Sequence, residues 1–135
     1  MTEPKAVVLD SWAVMAYLED EPASKKIGEM LAGSLSDGTP LLMSVINAGE
    51  IWYIVARRRS QKDADATIRW LKEIGVKMID ADWTLTKIAA EFKAKGSISY
   101  ADCHAAAVAV QNRATLFTGD REFVPLEDSV DIEWL

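Results

Sequence analysis

Apolar residues along this chain come in two rhythms, short unbroken runs and longer stretches with helical spacing. Residues 6–9 form a continuous apolar run, read as a buried strand, and the run stops at Asp10. Residues 12–18 follow with helical spacing through Trp12, Met15 and Ala16. A second helix is expected over 23–32, where Ile27, Met30 and Leu31 share a face, and residues 33–40 read as a turn-rich connection. The run at 41–43 predicts a second strand, closed by Ser44. A helix over 47–58 then places Ile51, Trp52, Ile54 and Val55 on an apolar side, with Glu50 near its start. Ser60 caps another helix through Ala64, Ile68, Trp70 and Leu71, which Gly75 ends. Residues 76–79 form a third strand, whose polar Lys77 suggests a sheet edge. Asp82 caps a helix over 83–95, and Gly96 stops it.

The stretch 97–110 is different in kind. Ser99 is a natural N-cap, and Asp102 falls at the third helical position, where a carboxylate can face free amides. The alanine-rich body behind it is too apolar to face water and must lie against a sheet. Residues 115–118 form a fourth strand, Gly119 and Asp120 its exit loop, 121–123 a short turn, and 130–134 a fifth, alternating strand. Strands alternating with helices, with no repeat or linker between them, predict one α/β domain over residues 1–135, its parallel sheet covered by helices on both faces.

Composition narrows the chemistry. The chain has 135 residues, enough for one sizeable core, and at 50% hydrophobic and 27% charged it is built to fold. One Cys and one His exclude a disulfide framework and a Cys/His zinc site, and they suit a reducing, cytoplasmic home. Any metal must then be held by oxygen, which selects a hard cation. No apolar run approaches membrane length, and the start lacks an export pattern, so no membrane role is expected. The net charge is −6. That argues against a broad basic face for nucleic acid, so a polyanionic substrate would need local patches or bound cations.

In open α/β sheets, function gathers beyond the carboxyl ends of the strands, where strand order reverses. Asp10 follows the first strand, Asp120 the fourth, and Glu50 opens the helix after the second. Chain order alone puts Asp102 at the sheet's other end. Each acid has a local explanation: Asp10 and Asp102 as caps, Asp120 as a turn residue, Glu50 on a solvated face. Together they share a location at element ends. Two unit charges about 4 Å apart repel by roughly 4 kcal/mol at a surface-like dielectric, a heavy burden for a fold stable by about 5–15 kcal/mol. A tight cluster therefore needs protons or a divalent cation. Oxygen ligands suit Mg²⁺ or Mn²⁺, and such ions serve phosphodiester chemistry.

Four blocks carry a resemblance. Val7-Val-Leu-Asp10-Ser11 resembles the strand-ending aspartate of the PIN-domain nucleases, in particular the toxin ribonucleases of VapBC-type toxin–antitoxin pairs. Ser44-Val-Ile-Asn47-Ala-Gly-Glu50 is similar to their Ser-x-x-Asn-x-x-Glu helix start. Ser99-Tyr-Ala-Asp102-Cys-His-Ala-Ala-Ala107 resembles their Ala-Asp-x-x-Ala-Ala-Ala segment, and Thr118-Gly-Asp120-Arg-Glu-Phe123 their Thr-Gly-Asp-x-x-Phe. The resemblance implies a three-layer α/β/α domain with a five-stranded parallel sheet in order 3-2-1-4-5, and it brings Asp102 to the same pocket. It further implies a Mg²⁺-dependent endoribonuclease, with Mn²⁺ as the other metal candidate, acting on RNA as a homodimer and inhibited by a small antitoxin protein. Asp10, Asp102 and Asp120 are then the metal ligands and Glu50 the orienter of water. One position departs from the pattern. Trp12 stands two places after Asp10, where members often carry a hydroxyl residue, and Ser11 is the substitute candidate.

Asn47 and Thr118 are expected to support the acids through hydrogen bonds, with Glu122 as an outer ligand. His104 and Cys103 read as packing, and the basic run Arg57 to Arg59 as a helix-end feature favoured by the dipole. The five tryptophans read as core or dimer interface rather than as base-stacking platforms. The alternative reading is a catalytically silent PIN-like module that binds RNA or a partner.

Overall fold

The computed structural model describes residues 4–135. Val7, Leu9, Leu41 and Met43 pack into one apolar cluster, and their neighbours Val8 and Leu42, with Leu116, into another. This two-sided burial comes from side chains alternating across strands that are covered on both faces. The strands are β1 (Val7–Leu9), β2 (Leu41–Ser44), β3 (Val76–Ile79), β4 (Thr115–Thr118) and β5 (Ile132–Trp134). All pairings are parallel and the order is β3-β2-β1-β4-β5, as expected, with β3 at an edge.

The helices are α1 (Ser11–Leu18), α2 (Ser24–Asp37), α3 (Val45–Arg58), α4 (Gln61–Glu73), α5 (Trp83–Lys95) and α6 (Tyr100–Asn112), with a 3₁₀ turn at Arg121–Leu126. Helices α1 to α4 supply Val14, Ile27, Ile51 and Leu71 to one face of the sheet. Helices α5 and α6 and the 3₁₀ turn supply Leu85, Val108 and Phe123 to the other. Every residue of α6 from Asp102 to Ala109 is buried, because the helix is wedged between the sheet and α5. Only small side chains permit so close an approach on all sides.

Several boundaries differ from the sequence reading, each for a local reason. Helix α2 continues through Gly33 to Asp37, and Gly38 ends it with a φ of 77°. Helix α3 starts two residues earlier than expected, because Ser44 closes β2 and also caps α3 by accepting from Ile46 N at 3.0 Å. The turn after Asp120 extends to Leu126, and β5 begins at Ile132, not at 130. Among the described residues, no helix is long and apolar enough to cross a membrane.

Candidate active site

The carboxyl ends of the central strands carry most of the buried polar side chains, and hydrogen bonds knit them together. Asp10 leaves β1 with 0% exposure. Its Oδ1 accepts from Ala13 N at 2.8 Å, capping α1, and its Oδ2 accepts from Thr118 Oγ1 at 2.5 Å. The Thr118 hydroxyl in turn accepts from Asp120 N at 3.0 Å. Asp120 caps the 3₁₀ turn through Glu122 N at 3.0 Å, which brings Glu122 round toward the sheet. Ser99 caps α6 by accepting from Asp102 N at 3.2 Å. Carboxylate oxygens of Asp102, Asp120 and Glu122 all lie within 4.8 Å of one another.

The first turn of α6 therefore sits at the carboxyl end of the sheet. The expectation from chain order, which put Asp102 at the opposite end, is corrected. A helix feeding directly into a parallel strand must run back from the carboxyl to the amino end, so α6 is the return path to β4.

A second chain of contacts reaches Glu50. Asn47 Nδ2 donates to Ser11 Oγ at 3.3 Å and to Ala101 O at 3.3 Å, and Ser11 Oγ donates to Glu50 Oε1. One amide thus ties α3 to the starts of α1 and α6. Glu50 and the three-acid cluster border one open cavity of about 930 Å³ that also reaches Ser11, Trp12 and Ser99. Asn47 is fully buried, yet its Oδ1 has no hydrogen-bond partner among the described residues.

The chain matches the family model described as PIN domain over residues 7–127. It belongs to the PIN domain family. No curated protein sequence matches it. Solved structures do. VapBC2 of Rickettsia felis, bound to a DNA fragment from its promoter, superposes with a TM-score of 0.73 at 20% identity, covering 96% of this chain and 98% of that one. DNA-bound VapBC from Salmonella typhimurium gives 0.75 at 16% identity, over 96% and 97%. VapC20 of Mycobacterium tuberculosis, described as a Sarcin-Ricin loop cleaving toxin, gives 0.72 at 17% identity, over 89% and 94%. At these identities the likeness is one of fold.

The PIN domain's electrostatics bear on what the cluster can hold. Burial pushes the Asp10 carboxyl up to about 7, with the charge of Asp120 adding to it, while the bonds from Thr118 and Ala13 pull the other way. Burial raises Asp102 further, to about 8, assisted by the charge of Asp120, a hydrogen bond to Glu122 that favours the neutral form, and the charge of Asp10. Both carboxyls resist ionising because burial desolvates the charged form and neighbouring carboxylates oppose it. An oxygen-only donor set starved of compensation is the setting a hard divalent cation fits. Asp10 has lone pairs left for a cation, since each carboxylate oxygen can accept twice.

Other sequence candidates fall into place around this. His104 is buried with Nδ1 at 2.9 Å from Tyr100 O, and Cys103 is buried beneath α5, both as packing. Arg58 pairs with Glu19, and Arg57 lies over the Tyr53 ring. Trp70 stacks on Tyr17 and Trp52 bonds Asp65, both against the core as expected. Trp83 and Trp12 are exposed and so are not core residues. Glu122, expected in an outer position, lies inside the carboxylate cluster. Its sequence signal is weak, because a residue two places after a turn-capping aspartate is found only once the turn is known.

Proposed function

We propose that this PIN domain is a divalent-metal-dependent endoribonuclease, cytoplasmic, and the toxin of a VapBC-type toxin–antitoxin pair. The observation that carries the reading is the convergence of Asp102, Asp120 and Glu122 beside buried Asp10, at the rim of a cavity that also meets Glu50. Asp10 and Asp102 would hold the main cation, Mg²⁺ or Mn²⁺, with Asp120 and Glu122 as further oxygen donors to it or to a second ion. When bound, the cation supplies Lewis-acid polarisation of a phosphodiester and offsets the negative charge that builds on it. Glu50, held in orientation by Ser11, positions the attacking water and takes its proton. Ser11 and Asn47 keep Glu50 in place, and Thr118 keeps Asp10 in place. The cation answers the acidity of the chain.

The partner part of the reading draws on the solved structures that are VapBC pairs: a small antitoxin protein is the expected inhibitor. A homodimer is the expected assembly. Expression of the wild type should arrest growth, expression of Asp102→Asn should not, and the small open reading frame beside the gene should rescue growth. Arrest of equal strength by both forms would overturn the proposal. RNA binding without cleavage in Mg²⁺ or Mn²⁺ would instead favour a silent binding module.

A further inference from the structure

Trp12 occupies the position where the resemblance called for a hydroxyl, and its surroundings are specific. The six-membered ring of its indole rests on Gly119, where a β-carbon would come 2.3 Å from Cη2 and 2.6 Å from both Cζ2 and Cζ3. Similar distances to three consecutive ring atoms place that point over the face of the ring, not beyond its edge. Residue 119 must be glycine for the ring to lie there, and the next residue is Asp120. Trp12 nevertheless remains 37% exposed and borders the same cavity as Asp102, Asp120 and Glu50. Among the described residues, no other aromatic ring stacks on it. A large apolar ring left open beside carboxylates forgoes favourable burial, unless something planar and compatible with that site covers it in use.

We propose that Trp12 is a nucleobase-stacking platform, holding the base next to the scissile phosphodiester of an RNA strand. The proposal rests on the ribonuclease reading above and names a subsite within it. Gly119 clamps one side of the indole and so fixes the plane before RNA arrives, and a pre-set aromatic plane loses little freedom when a base stacks on it. Every base offers a π-face, so the platform holds the strand without demanding one sequence. Asp120, the residue after Gly119, ties the platform to the cluster that faces the phosphate. The base is thus met by Trp12 on α1, and the phosphate by Asp120 on the loop after β4 that supports the ring.

The test is steady-state cleavage of a short single-stranded oligoribonucleotide carrying one abasic nucleotide, moved stepwise across the cleavage position. Wild type, Trp12→Phe, Trp12→Ala and Gly119→Ala are compared, with RNA binding in EDTA followed by tryptophan fluorescence. Stacking on one base predicts a rise in KM of roughly 5- to 150-fold for Trp12→Ala, with kcat nearly unchanged and a smaller rise for Trp12→Phe. Gly119→Ala, which keeps the tryptophan but displaces its ring, should also raise KM. One abasic position should impose the same penalty on the wild type and none on Trp12→Ala. Equal abasic penalties in both proteins, with RNA still cleaved, overturn the platform and leave the ribonuclease standing. Unchanged RNA kinetics in Trp12→Ala alongside weakened inhibition by an antitoxin assign the ring to a protein partner and likewise overturn it. A wild type that neither binds nor cleaves RNA removes both readings.

Discussion

Thr118 Oγ1 donates to Asp10 Oδ2 at 2.5 Å, joining the last residue of β4 to the carboxylate that follows β1. The same hydroxyl accepts from Asp120 N, so one side chain holds two of the acids in place. Thr118→Val keeps the shape and deletes both bonds. The bond from Thr118 lowers the Asp10 carboxyl, so its loss should push that group above about 7. A proton then competes harder with a cation. Calorimetric titration of Mn²⁺ should show roughly ten-fold weaker binding near neutral pH that recovers in more alkaline buffer. Equal affinity at both pH values would refute this role for Thr118.

The raised carboxyls set the direction of pH dependence. Asp10 titrates near 7 and Asp102 near 8, both above the ordinary carboxylate range. A carboxyl whose folded value is raised binds its proton more tightly in the fold than in the unfolded chain. The stability it supports is complete below its unfolded value and is lost as pH rises through the folded one. Without divalent cation, the melting temperature should therefore fall between about pH 5 and about pH 8.5. Added Mg²⁺ or Mn²⁺ should raise it more at the upper end. Asp102→Asn should flatten the metal-free curve and melt no lower than wild type at the alkaline end. Parallel curves for the two proteins would contradict the assignment.

Asn47 separates architecture from chemistry. It bonds Ser11 and Ala101 while fully buried, so Asn47→Ala leaves the Ala101 carbonyl and the Ser11 hydroxyl without this donor. A destabilisation of about 1–3 kcal/mol is expected in urea unfolding. Ser11→Ala removes the donor to Glu50 and one of the two acceptors of Asn47 Nδ2, which keeps its bond to Ala101 O. It should leave stability near the wild type and lower kcat roughly ten-fold, the scale of one charge-assisted hydrogen bond. If Ser11→Ala matches the wild type in kcat, Glu50 does not depend on that contact.

The strands were legible because burial on both faces writes a parallel strand as an unbroken apolar run, as in Val7, Val8 and Leu9. Caps at Ser60, Asp82 and Ser99 were legible because each is a short polar side chain just before a helical pattern. The end of α2 was not, because Gly33 reads as a breaker while the structure leaves open space around it and turns the chain at Gly38. The strand order came from the resemblance, since alternating strands and helices specify parallel pairing but not which neighbour each strand takes. Asp10, Asp120 and Glu50 could be placed by the rule of strand ends. Asp102 needed the direction of α6, and Glu122 needed the 3₁₀ turn; neither is written in local pattern.

The most direct measurement is cleavage of a short RNA by purified wild type and Asp102→Asn, with Mg²⁺ or Mn²⁺ present and then removed by chelation. The account predicts cleavage by the wild type only when the cation is present, and a loss of roughly a hundred-fold or more in Asp102→Asn with circular dichroism unchanged. Cleavage that persists undiminished after chelation, or at the wild-type rate in Asp102→Asn, would contradict it.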